Sequence, residues 1–226
     1  MRLFIFVISC VFCMLSSVRA EQTVDQDTWN YVSSIPEYEN RNISRLAFSL
    51  VKPYKNNYDK ARAIAYYVAS HISYGEYLYN NGKRINLRGQ KRGAQDILKS
   101  KVGTGDDFSL LFNTMCQTVG VRTYTVQGDV FDVDQNLRPI KNRQSTRPHA
   151  WNYFEYQRHK IFVDTSFMGN GRTSYDTHNS NVPHRKGFDE AKKQNQIHDI
   201  TPFYFDFDPD KEVQTYRLKR VAKHTR

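Results

Sequence analysis

Apolar residues recur at helical spacing between positions 59 and 74. Ala61, Ile64, Ala65, Val68 and Ile72 share one face, and Asp59 stands where it can cap the start. Tyr74 to Arg92 is polar, aromatic and glycine-containing, the composition of an irregular loop. Ala94 to Leu98 reads as a short helix ending near Lys101-Val102-Gly103. A second long helix is expected from Gly105-Asp106-Asp107, with Phe108, Leu111, Phe112, Met115 and Val119 on its inner face and Gly120 as its stop. Its two aspartates fall in the first turn, where the helix dipole favours negative charge.

After Gly120 the pattern changes to period two. Val121 to Gly128 alternates as a strand, and residues 129–148 read as a long polar connection. His149 to Glu155 and Lys160 to Phe167 are two further strands joined by a tight turn at Gln157-Arg158. Beyond Met168 the chain is polar until Phe203-Tyr204-Phe205. Helices first and antiparallel strands after give an α+β fold. The organisation expected is a leader over residues 1–20, a helical extension over 21–55, one domain over 56–205 and a basic tail over 206–226.

The first twenty residues stand apart from this pattern. Arg2, an apolar run of thirteen residues from Leu3 to Leu15, and the small-residue end Val18-Arg19-Ala20 have the layout of a secretory signal peptide. A membrane span needs about 20 apolar residues, and this run is shorter. The expectation is therefore a protein that is secreted or periplasmic. Its removal takes two arginines and no acid, so a net charge of +10 becomes +8 on 206 residues. Cys10 and Cys13 leave with it, and a lone Cys116 can form no internal disulfide. Stability must then come from a core, for which fourteen Phe, fifteen Tyr and two Trp supply bulk.

The candidate chemistry sits in the hairpin. With a two- or four-residue loop centred on Gln157-Arg158, His149 opposes Ser166 and Trp151 opposes Asp164, so His149 and Asp164 are diagonal neighbours on one face. A carboxylate there fixes the imidazole tautomer and stabilises its charged form. An odd loop would separate them, and a strand start and a strand end without partnership is the plainer reading.

Three separated segments resemble the transglutaminase-like superfamily. They are Lys60-Ala61-Arg62-Ala63-Ile64 leading to Ile72-Ser73-Tyr74; Leu98 to Leu111; and His149-Ala150-Trp151-Asn152 followed by Val163-Asp164-Thr165. Gly120-Val121 and Val126-Gln127-Gly128 fit the strand between. The resemblance spans about residues 56–168 and implies a papain-like core, a helix packed on an antiparallel sheet, in which Cys, His and Asp meet in a cleft. It assigns His149 and Asp164 to the dyad and lines the cleft with Trp151, Thr104 and Asp106. At the cysteine position it places Gly105, which has no side chain with which to attack an acyl group. Cys116 lies eleven residues on, about 16 Å along a helix, and reads as core beside Phe112 and Met115.

The resemblance thus implies a pseudoenzyme binding a peptide, glutamine-like or cell-wall ligand. The alternatives are an active acyl-transfer enzyme with another nucleophile, or a basic interaction module. Arg217, Lys219, Arg220, Lys223, His224 and Arg226 offer a patch for an anionic polymer or lipid headgroups, or else a solvated tail; no nucleic-acid motif accompanies them. Tyr74, Tyr77 and Tyr79 suit either a groove or packing. The histidines lack zinc-ligand spacing, and no cofactor is expected. Asn42-Ile43-Ser44 is a glycosylation acceptor pattern, meaningful only in a host that glycosylates.

Overall fold

A computed structural model describes residues 23–36, 42–80, 83–131, 146–170, 200, 202–207 and 216–221. The leader expected over residues 1–20 lies outside the described residues. Six helices are described: α1 (Gln26–Ser33), α2 (Ile43–Val51), α3 (Asn57–His71), α4 (Ala94–Ser100), α5 (Gly105–Thr118) and α6 (Thr165–Asn170). None of them is long and apolar enough to cross a membrane.

Helix α3 forms where the apolar spacing places it, but its cap is Asn56 rather than Asp59. Asn56 Oδ1 accepts from the Asp59 backbone N–H at 2.8 Å. The helix is buried beyond the expected stripe, because α1, α2, α5 and α6 all pack on it. Helix α5 buries Phe108, Leu111, Phe112 and Met115 as its spacing requires, and Gly120 closes it with φ +80°.

Strands β5 (Thr123–Phe131) and β6 (Thr146–Tyr156) run further than alternation alone indicated. With β7 (His159–Val163), β8 (Phe205–Phe207) and β9 (Tyr216–Val221) they form a five-stranded antiparallel sheet of order β8-β7-β6-β5-β9. Six residues of the basic C-terminal segment therefore belong to a strand, pairing with β5 from Val126↔Val221 to Val130↔Tyr216. The 129–148 connection is shortened at both ends, and 132–145 lie outside the described residues.

One smaller pairing falls within the segment read as a loop, and another starts at its edge. Strands β2 (Tyr77–Asn80) and β3 (Lys83–Asn86) form a hairpin, whose Tyr79 side chain lies outside the description. Strands β1 (Ser73–Tyr74) and β4 (Val102–Gly103) pair in parallel, Ser73↔Val102 and Tyr74↔Gly103. This short ladder ties the exit of α3 to the residues just before α5, and so fixes where α5 begins.

The β6–β7 turn sets the site. Gln157 and Arg158 have φ +48° and +67°, a two-residue loop whose twist matches that of the strands. The register runs from Tyr156↔His159 to Asn152↔Val163, as a two-residue loop demands. Strand β7 stops at Val163, however. Asp164, Thr165 and Ser166 turn the chain into α6 instead of extending the strand to Phe167.

Candidate active site

Three elements converge on His149. Strand β6 carries it opposite Gly128 of β5, the end of β7 delivers Asp164, and the start of α5 brings Gly105. His149 Nε2 and Asp164 Oδ2 are 2.6 Å apart, with side-chain exposures of 2% and 1%. A bond of that length between buried groups is charge-assisted in character. The other oxygen, Oδ1, accepts from the Ser166 N–H at 3.1 Å, the Ser166 hydroxyl at 2.7 Å and the Phe167 N–H at 3.1 Å. Burial alone would raise the Asp164 carboxyl. The His149 imidazole and the hydrogen bonds from Ser166 and Phe167 outweigh it and hold the carboxyl below its ordinary value.

The imidazole turns its Nδ1 edge toward Gly105. A methyl group at residue 105 would stand 2.8 Å from Nδ1 and 2.9 Å from Cε1, inside ordinary van der Waals separation. Phe167 lies against the ring at 4.8 Å between centroids and 17° between planes. Trp151 flanks it at 6.1 Å and 25°. Gly105, His149 and Asp164 are thus brought together, and the two charged-capable groups are linked by contact rather than by sequence proximity.

The residues expected to line a cleft divide. Thr104 caps α5 and is half-buried, and Asp106 in the first turn is exposed. Trp151 is only 2% exposed, so it backs the imidazole from inside the core. Cys116 is fully buried on α5, and burial pushes its thiol well above the ordinary value. It is core, as its neighbours Phe112 and Met115 suggested. Among the described residues no group of three or more His, Cys, Asp or Glu side chains is arranged to hold a metal ion.

Sequence reasoning missed Arg92. Its Nη1 donates to Asp107 Oδ2 at 2.8 Å and to the Val102 carbonyl at 2.9 Å, with both side chains 8% exposed. Asp107 Oδ2 also accepts from the Thr104 N–H at 3.0 Å. This buried ion pair anchors the first turn of α5 from behind. Gly103 makes room for it: a methyl there would come within 2.6 Å of Asp107 Cβ. A glycine four residues before an aspartate in a helix start was the available signal, and it is a weak one.

Comparison with known proteins gives these parts a lineage. A family model described as the transglutaminase-like superfamily matches residues 44–164, which include Gly105, His149 and Asp164. No curated protein matches the chain. Among solved structures, a candidate cysteine protease from Cytophaga hutchinsonii is similar at 17% identity and a TM-score of 0.41, over 63% of this chain and 43% of that one. A candidate protease from Parabacteroides distasonis is similar at 12% identity and a TM-score of 0.33, over 62% and 28%. A structure described as a TGase is similar at 13% identity and a TM-score of 0.33, over 66% and 35%. The chain spans less than half the length of each of these three.

Proposed function

Because the chain belongs to the transglutaminase-like superfamily, we propose that it is an exported member without catalytic activity, in which Gly105 stands where the family carries its nucleophilic cysteine. The observation that carries this reading is the direction of His149. One ring nitrogen meets Asp164 at 2.6 Å, and the other is turned to the first residue of α5. That is the layout a histidine needs to take a proton from a nucleophile at a helix start. The residue it faces has no side chain. Cys116 offers no substitute, since it is buried three helical turns away.

The role that remains is binding. A peptide, glutamine-like or cell-wall ligand would lie along the start of α5, where Thr104 and Asp106 reach solvent. Export is supported by the positive, apolar and small-residue layout of residues 1–20.

The test compares the chain lacking residues 1–20 with its Gly105→Cys variant in amine-incorporation and peptide-hydrolysis assays. The unmodified chain is expected to give no turnover above a His149→Ala control, and the variant to give only weak acyl transfer, because its new side chain crowds the His149 ring. Turnover by the unmodified chain would overturn the reading.

A second reading, an interaction module for anionic polymers or lipid headgroups, draws on Arg217, Lys219 and Arg220 in β9. Deleting this segment would remove a strand of the sheet, so the informative variant is Lys219→Glu with Arg220→Glu. Loss of binding to anionic vesicles, with unchanged thermal stability, would favour that reading over the first.

A further inference from the structure

Asp164 serves two elements at once. Its Oδ2 holds His149, and its Oδ1 closes the first turn of α6 through the Ser166 and Phe167 N–H groups. Phe167, fixed by that same turn, lies flat against the imidazole. Helix α6 is itself packed tightly on α3. Gly169 lies so close on α3 that a methyl group there would come within 2.0 Å of the Ala69 carbonyl oxygen. The ring therefore has Asp164 at its Nε2, Phe167 and Trp151 stacked along it, and Gly105 at its Nδ1–Cε1 edge.

From this packing we infer that the His149–Asp164 pair acts in this chain as a self-blocking clasp. The imidazole fills the place of a side chain at residue 105, ties β6 and α6 to the start of α5, and shuts the spot facing Gly105 to ligands. A ligand of this domain then meets the exposed rim at Thr104 and Asp106 and leaves the dyad untouched. The inference rests on the reading of residue 105 as the lost nucleophile position. Its test reads stability, so its failure is separate from the failure of that reading, which turnover decides.

Gly105 is an ordinary helical residue without a positive φ. Replacing such a glycine by alanine normally stabilises, because it restricts the unfolded chain. Here the added methyl group meets the pinned ring, and overpacking is destabilising. Gly105→Ala is expected to lower Tm by about 3–8 °C, on the scale of roughly 2–4 °C per kcal/mol for a chain of this size. In a His149→Ala background the same substitution is expected to raise Tm by about 1–4 °C.

This reversal of sign in the double-mutant cycle is the signature of the clasp. If Gly105→Ala stabilises both backgrounds, the ring yields freely and the clasp is wrong. If it destabilises both equally, the strain comes from another neighbour and the clasp is again wrong. Should His149→Ala not fold, Phe167→Leu replaces it as the background. Removing the stacked ring then shrinks the Gly105→Ala penalty to less than half if the clasp holds, and leaves it unchanged if not.

Discussion

Two buried pairs flank the first turn of α5, and they are built differently. Behind it, Arg92 and Asp107 meet at 2.8 Å with both side chains 8% exposed. In front, His149 and Asp164 meet at 2.6 Å and are more deeply buried. Arg92 spreads its donors over a carboxylate, the Val102 carbonyl, the Ser100 hydroxyl and the Asp96 carbonyl in the fixed fork of its guanidinium. His149 gives one ring nitrogen to Asp164 and turns the other to Gly105. The first pair holds a helix start in place. The second has the parts for moving a proton but faces a glycine. Burial and short contact are common to both, so neither feature marks chemistry; what separates them is the group each one faces.

The sharpest way to break the comparison is to remove the guanidinium. Arg92→Met keeps the apolar stem and leaves Asp107 buried without its guanidinium. Breaking a buried pair in this way costs about 3–5 kcal/mol. Urea unfolding should show that loss in the midpoint, with the slope unchanged. A loss below about 1 kcal/mol would mean that water reaches Asp107 and that the pair is a surface contact in effect.

What the chain made legible follows the same division between local and distant causes. Helices α3 and α5 were legible because their apolar residues repeat at the helical period over three turns or more. The β6–β7 register was legible because either even loop at Gln157-Arg158 leaves one pairing, but spacing alone favoured no partnership between His149 and Asp164, and their approach came from the resemblance. The conversion of 164–167 from strand to helix start was legible only in hindsight: Asp164 is both the partner of His149 and a cap for Ser166 and Phe167. Strands of two residues, as in β1 and β4, have no period to detect. Strand β9 carries Arg217, Lys219 and Arg220 and shows no sustained apolar alternation, so only its pairing with β5 reveals it. Arg92 lay in a polar stretch fifteen residues from its partner. Gly105 was visible as a missing side chain, but nothing in the order of residues tells that the imidazole comes within 2.8 Å of the place left.

A smaller effect sharpens the comparison by pH. The Asp164 carboxyl is held below its ordinary value in the folded chain, despite burial, by His149 and the hydrogen bonds from Ser166 and Phe167. A depressed folded value means that the unfolded chain binds the proton more readily. The stabilisation is therefore complete above the unfolded value near 3.8 and is lost as pH falls from there through the folded value. Asp164→Asn keeps an acceptor for the Ser166 and Phe167 N–H groups but removes the charge opposite His149. At neutral pH the variant should be less stable by about 1–3 kcal/mol. Between pH 4 and the onset of acid unfolding, roughly the range in which carboxylates take up protons, the gap to the parent should narrow, because the parent alone loses this term. Stability curves that stay parallel across that range would show that Asp164 draws nothing from His149 in the folded state. His149 and Asp164 would then be neighbours held by packing, and the front pair would be no more than a second, weaker version of the one behind it.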